Sequence, residues 1–283
     1  MNSDKLNAMI KKRAKGSDTV SLHLHQMFFF EHLLERLERS KYRDYIILKG
    51  GVLLSSIIGE DLRTTKDIDA TLKGLPLNID SIKNIFEEIL AIDINDNVCF
   101  KIENIKDIRL ENVYSGFRIN VKGTFDQIRT NFFVEITTGD MITPREIKYK
   151  YHSIFEDKTL QIMAYTLETI IAEKFESIIS KSITTTRAKD FYDMYMIVNN
   201  HIDEINKITL VKAIERTFKH RNTNFDIESI HEAFEIMKSS TVLQDLFDNY
   251  RKKLVYAKNV NFQDTIHAVK EIIDILEGEL VEA

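Results

Sequence analysis

The sequence predicts an α+β fold: a mixed, largely antiparallel sheet with helices in the N-terminal part, followed by a C-terminal helical bundle. Three observations predict it. Up to Pro144, short apolar runs rich in β-branched residues are interleaved with amphipathic segments. Three strand-like runs, at about 97–105, 115–125 and 131–138, follow one another with no helix between them, as consecutive antiparallel strands do. Beyond Pro144 the chain has no further proline and reads as one helical segment after another. The expected domains are 1–150, α+β, and 151–283, helical.

The elements follow in order. Residues 4–14 and 20–40 read as helices; the second places Leu22, Phe29, Leu33 and Leu37 at near-helical spacing, with Glu31, Glu35, Arg36 and Glu38 outside. Residues 44–48 form a short buried strand around Ile46 and Ile47, and 52–58 continue as a helix. A strand over 66–72 and an amphipathic helix over 79–94 come next. Of the three following strands the middle one alternates most cleanly: Phe117, Ile119 and Val121 point inward, Arg118, Asn120 and Lys122 outward. The helices of the second half are 166–181, 186–199, 203–218, 227–238, 242–256 and 262–277.

Composition narrows the function classes. The chain has 283 residues, 43% apolar and 29% charged, as a globular protein has, and two prolines and nine glycines leave no room for long linkers. No leader is evident and no apolar run approaches the ~18 residues of a membrane span, so a cytoplasmic protein is expected. The single cysteine, Cys99, excludes an internal disulfide and reads as a small buried side chain. The formal charge of −5 argues against a sequence-independent DNA-coating protein; a nucleic-acid substrate would need a local basic patch.

The stretch Arg63-Thr64-Thr65-Lys66-Asp67-Ile68-Asp69-Ala70 carries most chemical information. On a strand, Asp67 and Asp69 project from one face. Two carboxylates side by side are costly unless a cation lies between them. Upstream, Lys49-Gly50-Gly51 closes an apolar run before a helix, where backbone amides can approach phosphates. Glu135, an acid within Phe132-Phe133-Val134-Glu135-Ile136, is the candidate third carboxylate. Its bland alternatives are an exposed face or a lysine partner. In such a set, Asp67, Asp69 and Glu135 would hold the divalent ions of a nucleotidyl-transfer reaction. Ser55 and Ser56 read as packing residues. His23 and His25 diverge on a helix and make no metal pair, and Met27–Phe30 read as core.

A second cluster comprises Lys174, Arg187, Lys189, Asp190 and Asp193. Its bland reading is an ion-paired helix face; its functional reading sets Lys174 as a point charge and Arg187 as a planar fork against triphosphate oxygens. Lys212, Arg216 and Lys219, near His220 and Arg221, form a possible RNA-binding stripe, and Arg251-Lys252-Lys253 a weaker one.

Taken together, Lys49-Gly50-Gly51-Val52-Leu53-Leu54, Arg63 to Asp69, Glu135-Ile136 with Gly139-Asp140, Glu173-Lys174 and Arg187-Ala188-Lys189-Asp190-Phe191-Tyr192-Asp193 resemble nucleotidyltransferase toxins of the AbiEii/AbiGii type, within the DNA polymerase β-like superfamily. The resemblance covers roughly residues 20–275. It implies a nucleotidyltransferase-like first domain and a helical domain completing the active-site cleft. It implies a bacterial toxin of a toxin–antitoxin pair linked to abortive phage infection, with an antitoxin encoded nearby. It also implies GTP binding, Mg²⁺ (or Mn²⁺), and transfer of a nucleotide to the 3′ end of tRNA. On this chain, Gly50 and Gly51, with Lys49 and Lys66, would contact nucleotide; Lys174 would bind triphosphate, with Arg187 and Lys189 beside it, and Asp190 would be the second-domain acid needed for activity. Gly51 stands where the superfamily has serine, and Glu135 where aspartate is commoner. The competing functions are transfer to a protein or an aminoglycoside-like small molecule, which the negative charge favours, and a non-catalytic GTP-binding toxin.

Overall fold

The computed structural model describes residues 1–59, 63–110 and 114–281. They divide into two compact units. The first takes in 1–59, 64–110, 114–140 and 146–164; the second takes in Arg63, 141–145 and 165–281.

The first unit is built on seven strands: β1 (Ile46–Lys49), β2 (Asp67–Leu72), β3 (Val98–Leu110), β4 (Tyr114–Phe125), β5 (Ile128–Thr137), β6 (Ile147–His152) and β7 (Thr159–Ala164). They form one mixed sheet in the order β3–β4–β5–β2–β1–β7–β6. Strand β2 lies near its middle, antiparallel to β1 and parallel to β5. The last two strands carry the sheet unit past residue 150. Strand β6 lies at the edge, with only Tyr151 of its residues buried, so the burial contrast that marks an inner strand is missing.

Helices α1 (Ser3–Ala14), α2 (Asp18–Arg39), α3 (Gly50–Ile58) and α4 (Ile79–Leu90) complete the unit. Asn2, Ser17 and Asn78 cap α1, α2 and α4 by accepting the amides of Lys5, Val20 and Ser81. Leu33, Leu34 and Leu37 of α2 and Phe86 and Ile89 of α4 meet Ile46, Leu48, Ile68, Ala70 and Val134 on one face of the sheet. The approach is so close that a Cβ on Gly123 would lie 2.3 Å from the Phe29 ring, which requires glycine there. By alternation Asp67, Asp69, Phe133 and Glu135 occupy the opposite face.

Helix α2 departs from the amphipathic expectation. Glu31, Glu35 and Arg36 are buried, while Leu22 is 60% exposed. The helix is enclosed on its polar side as well, and each charge has partners there. Glu31 accepts from the Tyr151 and Ser153 hydroxyls and the Ile154 amide, Glu35 pairs with Lys158, and Arg36 forks onto Asp96 at 2.7 and 2.8 Å. Burial pushes the Glu31 carboxyl up to about 7 and His32 down to about 4. Met27–Phe30 are core, as expected. Cys99 corrects the reading made for it: it is exposed, because β3 is the sheet's edge and Cys99 lies in register with Thr124 on the face the helices leave open.

The second unit contains α5 (Leu167–Lys181), α6 (Ala188–His201), α7 (Lys207–His220), α8 (Ile227–Lys238), α9 (Thr241–Lys253) and α10 (Phe262–Val281). Thr166, Asn206, Asp226 and Ser240 provide N-caps. Ile171, Phe175, Phe191, Ile197, Ile214, Phe218 and Ile272 are among the buried side chains of its core. Among the described residues no helix is long and apolar enough to cross a membrane.

Candidate active site

The first unit's site begins with backbone geometry. Strand β1 ends at Lys49, whose register partner on β2 is Asp69. The chain then turns into α3 through Gly50 at φ +61°, a left-handed conformation natural to glycine. A Cβ on Gly50 would stand 2.0 Å from Asp69 Oδ2. Asp69 therefore occupies the space that glycine leaves, and the Gly51 amide donates to its Oδ2 at 3.3 Å. The amides at the start of α3 and the carboxylate of Asp69 thus share one place, where positive helix-terminal charge faces negative oxygen.

Asp67 lies two residues before Asp69, half-buried on the same face; the Thr65 hydroxyl donates to its Oδ1 at 3.2 Å. His23 Nδ1 lies 3.0 Å from the Thr65 carbonyl and fixes the chain where it enters β2. His25 turns to Ser21 and Asn7, so the two histidines diverge. Lys66, just before β2, is exposed.

Glu135 is the register partner of Asp69 across the parallel β2–β5 pair. Arg118, opposite it on β4, donates to its Oε1 at 2.7 Å through Nε. The partner of Glu135 is thus an arginine from the neighbouring strand, not the lysine that the sequence allows for. The cross-strand row is Lys49, Asp69, Glu135 and Arg118, two adjacent acids flanked by a cation on either side across four strands. Lys49 in turn donates to Asp140 at 2.9 Å and to Thr137 Oγ1 at 2.8 Å. Burial alone would raise the Asp140 carboxyl; Lys49 and the hydroxyls of Thr71 and Thr137 hold it below the usual carboxylate range. Asp140 thus anchors Lys49, a role that the Gly139-Asp140 pair does not reveal in the sequence.

The hydroxyls of the two serines of α3 are engaged within the unit. Ser55 Oγ donates to the Val52 carbonyl at 3.0 Å, and Ser56 Oγ lies 2.7 Å from the Leu53 carbonyl and 3.1 Å from the Tyr149 hydroxyl.

The donor set suits a hard divalent cation at Asp67 and Asp69: carboxylate oxygens, side by side, on an open face, with Asp69 fitted against glycine. Among the described residues no three His, Cys, Asp or Glu side chains gather into a metal-holding group as they stand. Arg118 holds the Glu135 carboxylate, and exchange of that partner is what a third ligand would require.

The second unit contains a different cluster. Asp193, on α6, is fully buried and accepts from Arg63 Nε at 2.8 Å and from Lys174 Nζ at 2.6 Å. Lys174 also reaches Asp190 at 3.0 Å, and Arg187 lies 3.9 Å from Asp190. Burial alone would raise the Asp193 carboxyl; Arg63 and Lys174 reverse this and hold it far below the carboxylate range. Lys174, Asp190 and Arg187 are thus brought together as the sequence suggests, but Lys174 carries two carboxylate partners and Arg63 is a buried structural cation. Lys189 is half-buried and also engaged. Of the possible RNA stripe, Lys212, Arg216 and Lys219 are exposed, whereas Arg221 turns inward to Glu176 at 2.7 Å and Glu173 at 3.4 Å.

Known proteins share this plan. Residues 32–272 match a family described as nucleotidyl transferase AbiEii toxin, type IV toxin–antitoxin system. MenT4, a nucleotidyltransferase toxin of Mycobacterium tuberculosis H37Rv, has a similar structure: 12% identity, 95% of this chain and 98% of that chain covered, TM-score 0.55. A structure described as a nucleotidyltransferase from H. pylori aligns with 12% identity over 91% of this chain and 95% of its own, TM-score 0.48. No curated protein matches in sequence.

Proposed function

Because this chain belongs to the AbiEii family of nucleotidyl transferase toxins of type IV toxin–antitoxin systems, we propose that it arrests growth by transferring a nucleoside monophosphate from an NTP, GTP among the candidates, to the 3′ end of tRNA. The observation that carries the reading is Asp67 and Asp69 on the open face of β2, with Asp69 lodged against Gly50 and Glu135 in register beside it. A terminal RNA hydroxyl oxygen forms a bond to the α-phosphorus, its proton passing to water. The bridging bond to the β-phosphate breaks and pyrophosphate leaves with the electron pair. Asp67 and Asp69, joined by Glu135, would hold Mg²⁺ or Mn²⁺, and a bound ion supplies charge stabilisation at the transferring phosphate. Gly50 and Gly51 leave room for triphosphate to approach the start of α3, where the Gly51 amide also steadies Asp69, and Lys49, fixed by Asp140, adds a positive charge with little freedom to reorganise. Lys66 is a further nucleotide contact. Roles for Lys174, Arg187 and Lys189 in triphosphate binding, and for Asp190 as the second-unit acid needed for activity, rest on the family resemblance. The cognate antitoxin is the expected cellular partner.

The test is incubation with total tRNA, Mg²⁺ and each α-labelled NTP, with Asp67→Ala as control. Label in tRNA, absent with the variant, supports the reading and names the nucleotide. Pyrophosphate release without RNA labelling redirects it to a protein or small-molecule acceptor, which the −5 charge of the chain favours. GTP binding without pyrophosphate release makes the chain a nucleotide-binding toxin.

A further inference from the structure

Beyond the acids, the open face of the sheet continues across β5, β4 and β3 as a polar surface of one predominant sign. Cross-strand partners point to the same side, so the register maps it. Next to the row that contains Asp69 and Glu135, Asp67, Phe133 and Asn120 form a second row. Lys101, Lys122 and Asn131 form a third, and Arg129 stands in register with Thr124 beyond it. Lys106, opposite Arg118, extends the first row to the edge strand. Lys101, Lys106, Arg118 and Arg129 are exposed and Lys122 half-buried. Among the described residues, the acid on this path outside the catalytic set is Glu103, 3.5 Å from Lys101.

Phe133 is the second observation. It is 41% exposed in the middle of a strand, beside Asp67, with the Arg118 guanidinium 5.4 Å from its ring centre. An exposed aromatic on a sheet face, flanked by cations at strand spacing, is how folded proteins stack unpaired bases and follow a single-stranded backbone. Rows on a strand repeat at about 6.6 Å and strands lie about 4.8 Å apart, a grid commensurate with successive nucleotides.

We propose that this face is the docking track for the acceptor strand: a single-stranded 3′ RNA end crosses β3 and β4 with its phosphates against Lys101, Lys106, Lys122 and Arg129, and stacks a base on Phe133 beside Asp67. The assignment rests on the transferase reading and specifies where its acceptor lies. It places the RNA contact on the sheet rather than on the Lys212–Arg216–Lys219 helix face. On a chain of formal charge −5, this concentration of cations is local.

The test uses an RNA hairpin with a four-nucleotide 3′ overhang, a blunt version of it, and polyglutamate, with binding read by fluorescence anisotropy at several salt concentrations. Phe133→Ala is expected to weaken overhang binding about tenfold or more. Lys106→Ala combined with Lys122→Ala should lower the slope of log K against log salt by about 0.7 for each phosphate no longer neutralised. NTP binding should be unchanged in both. Cys99, the single cysteine, is exposed on the same face and accepts a photocrosslinker without mutation; crosslinking to the overhang is expected. Equal affinity for blunt hairpin or polyglutamate, or overhang binding indifferent to these substitutions, overturns the proposal. Overhang binding with the expected dependence but no nucleotide added supports the track and removes the transferase reading. Transfer to a non-RNA acceptor, with no RNA bound, removes the track and leaves the transferase.

Discussion

Replacing Gly50 by alanine tests the core of the site with a single methyl group. The residue sits at φ +61°, where alanine costs about 1 kcal/mol relative to glycine. The added Cβ would lie 2.0 Å from Asp69 Oδ2 and 2.6 Å from Asp69 Cβ. Ordinary contact, at 3.4 Å or more, requires the carboxylate to withdraw by about 1.4 Å, and a displacement of about 1 Å in a reacting constellation already costs about 100-fold in rate. Gly50→Ala should therefore lower turnover about 100-fold while reducing stability by about 1–2 kcal/mol, a fall of roughly 3–6 °C in Tm. Pyrophosphate release at saturating NTP gives the first figure and a circular-dichroism melt the second. Because both substitutions act through Asp69, Gly50→Ala combined with Asp69→Ala should be no slower than Asp69→Ala alone. Wild-type turnover by Gly50→Ala would refute the placement of Asp69 in the reaction.

Three further outcomes follow from other parts of the structure. Asp193→Asn leaves Arg63 and Lys174 buried with their main counter-charge gone, and should destabilise the protein by about 3–5 kcal/mol, read from urea unfolding; a change below about 1 kcal/mol would show that the buried pair is not structural. Glu31, with its pKa raised to about 7, favours folding fully below pH 4.5 and loses that contribution as pH rises through about 7; His32, lowered to about 4, favours folding above pH 6.5 and loses it as pH falls through about 4. Between pH 5 and 8 each contribution changes by about 2 kcal/mol, with opposite signs, so Glu31→Gln should gain about 2 kcal/mol on wild type over that interval, and an unchanged profile in unfolding at the two pH values would contradict the assignment. In EDTA, Asp67→Asn should be slightly more stable than wild type, by about 0.5 kcal/mol, because it relieves like charge beside Asp69, and inactive once Mg²⁺ is restored; a large drop in Tm would mean that Asp67 holds the fold rather than an ion.

What is legible in the sequence is local. Alternation places Phe117, Ile119 and Val121 inward, and the spacing of Asp67 and Asp69 puts both acids on one face, because period-2 patterning needs no knowledge of neighbours. The diglycine turn is legible for the same reason. Pairings between distant segments are not. Nothing near Glu135 announces that Arg118 will lie opposite it, and nothing near Arg36 announces Asp96. The polar side of α2 misleads because burial of Glu31 and Glu35 depends on partners more than a hundred residues away, Tyr151 and Lys158. Strands β6 and β7 do alternate, as Ile-Lys-Tyr-Lys-Tyr-His and Thr-Leu-Gln-Ile-Met-Ala, but each is only six residues long, and the absence of proline beyond Pro144 directs the reading to helices. Cys99 is misplaced because alternation in the 97–105 run does not say which of its two faces is covered; Val98 is buried and Cys99 is not.

The parallel pairing of β2 with β5 has a consequence for how this chain is made. Asp67, Asp69 and the glycine turn are synthesised early, but the strand that brings Glu135 alongside them emerges only after the whole β3–β4 hairpin. Closing so long an excursion is entropically slow, and it comes after the local turn and helix have formed. A nascent chain still attached to the ribosome up to β4 therefore exposes its aspartates on a strand edge unpaired on the β5 side, without the third acid. Chain order therefore delays assembly of the acid row until synthesis has passed β5.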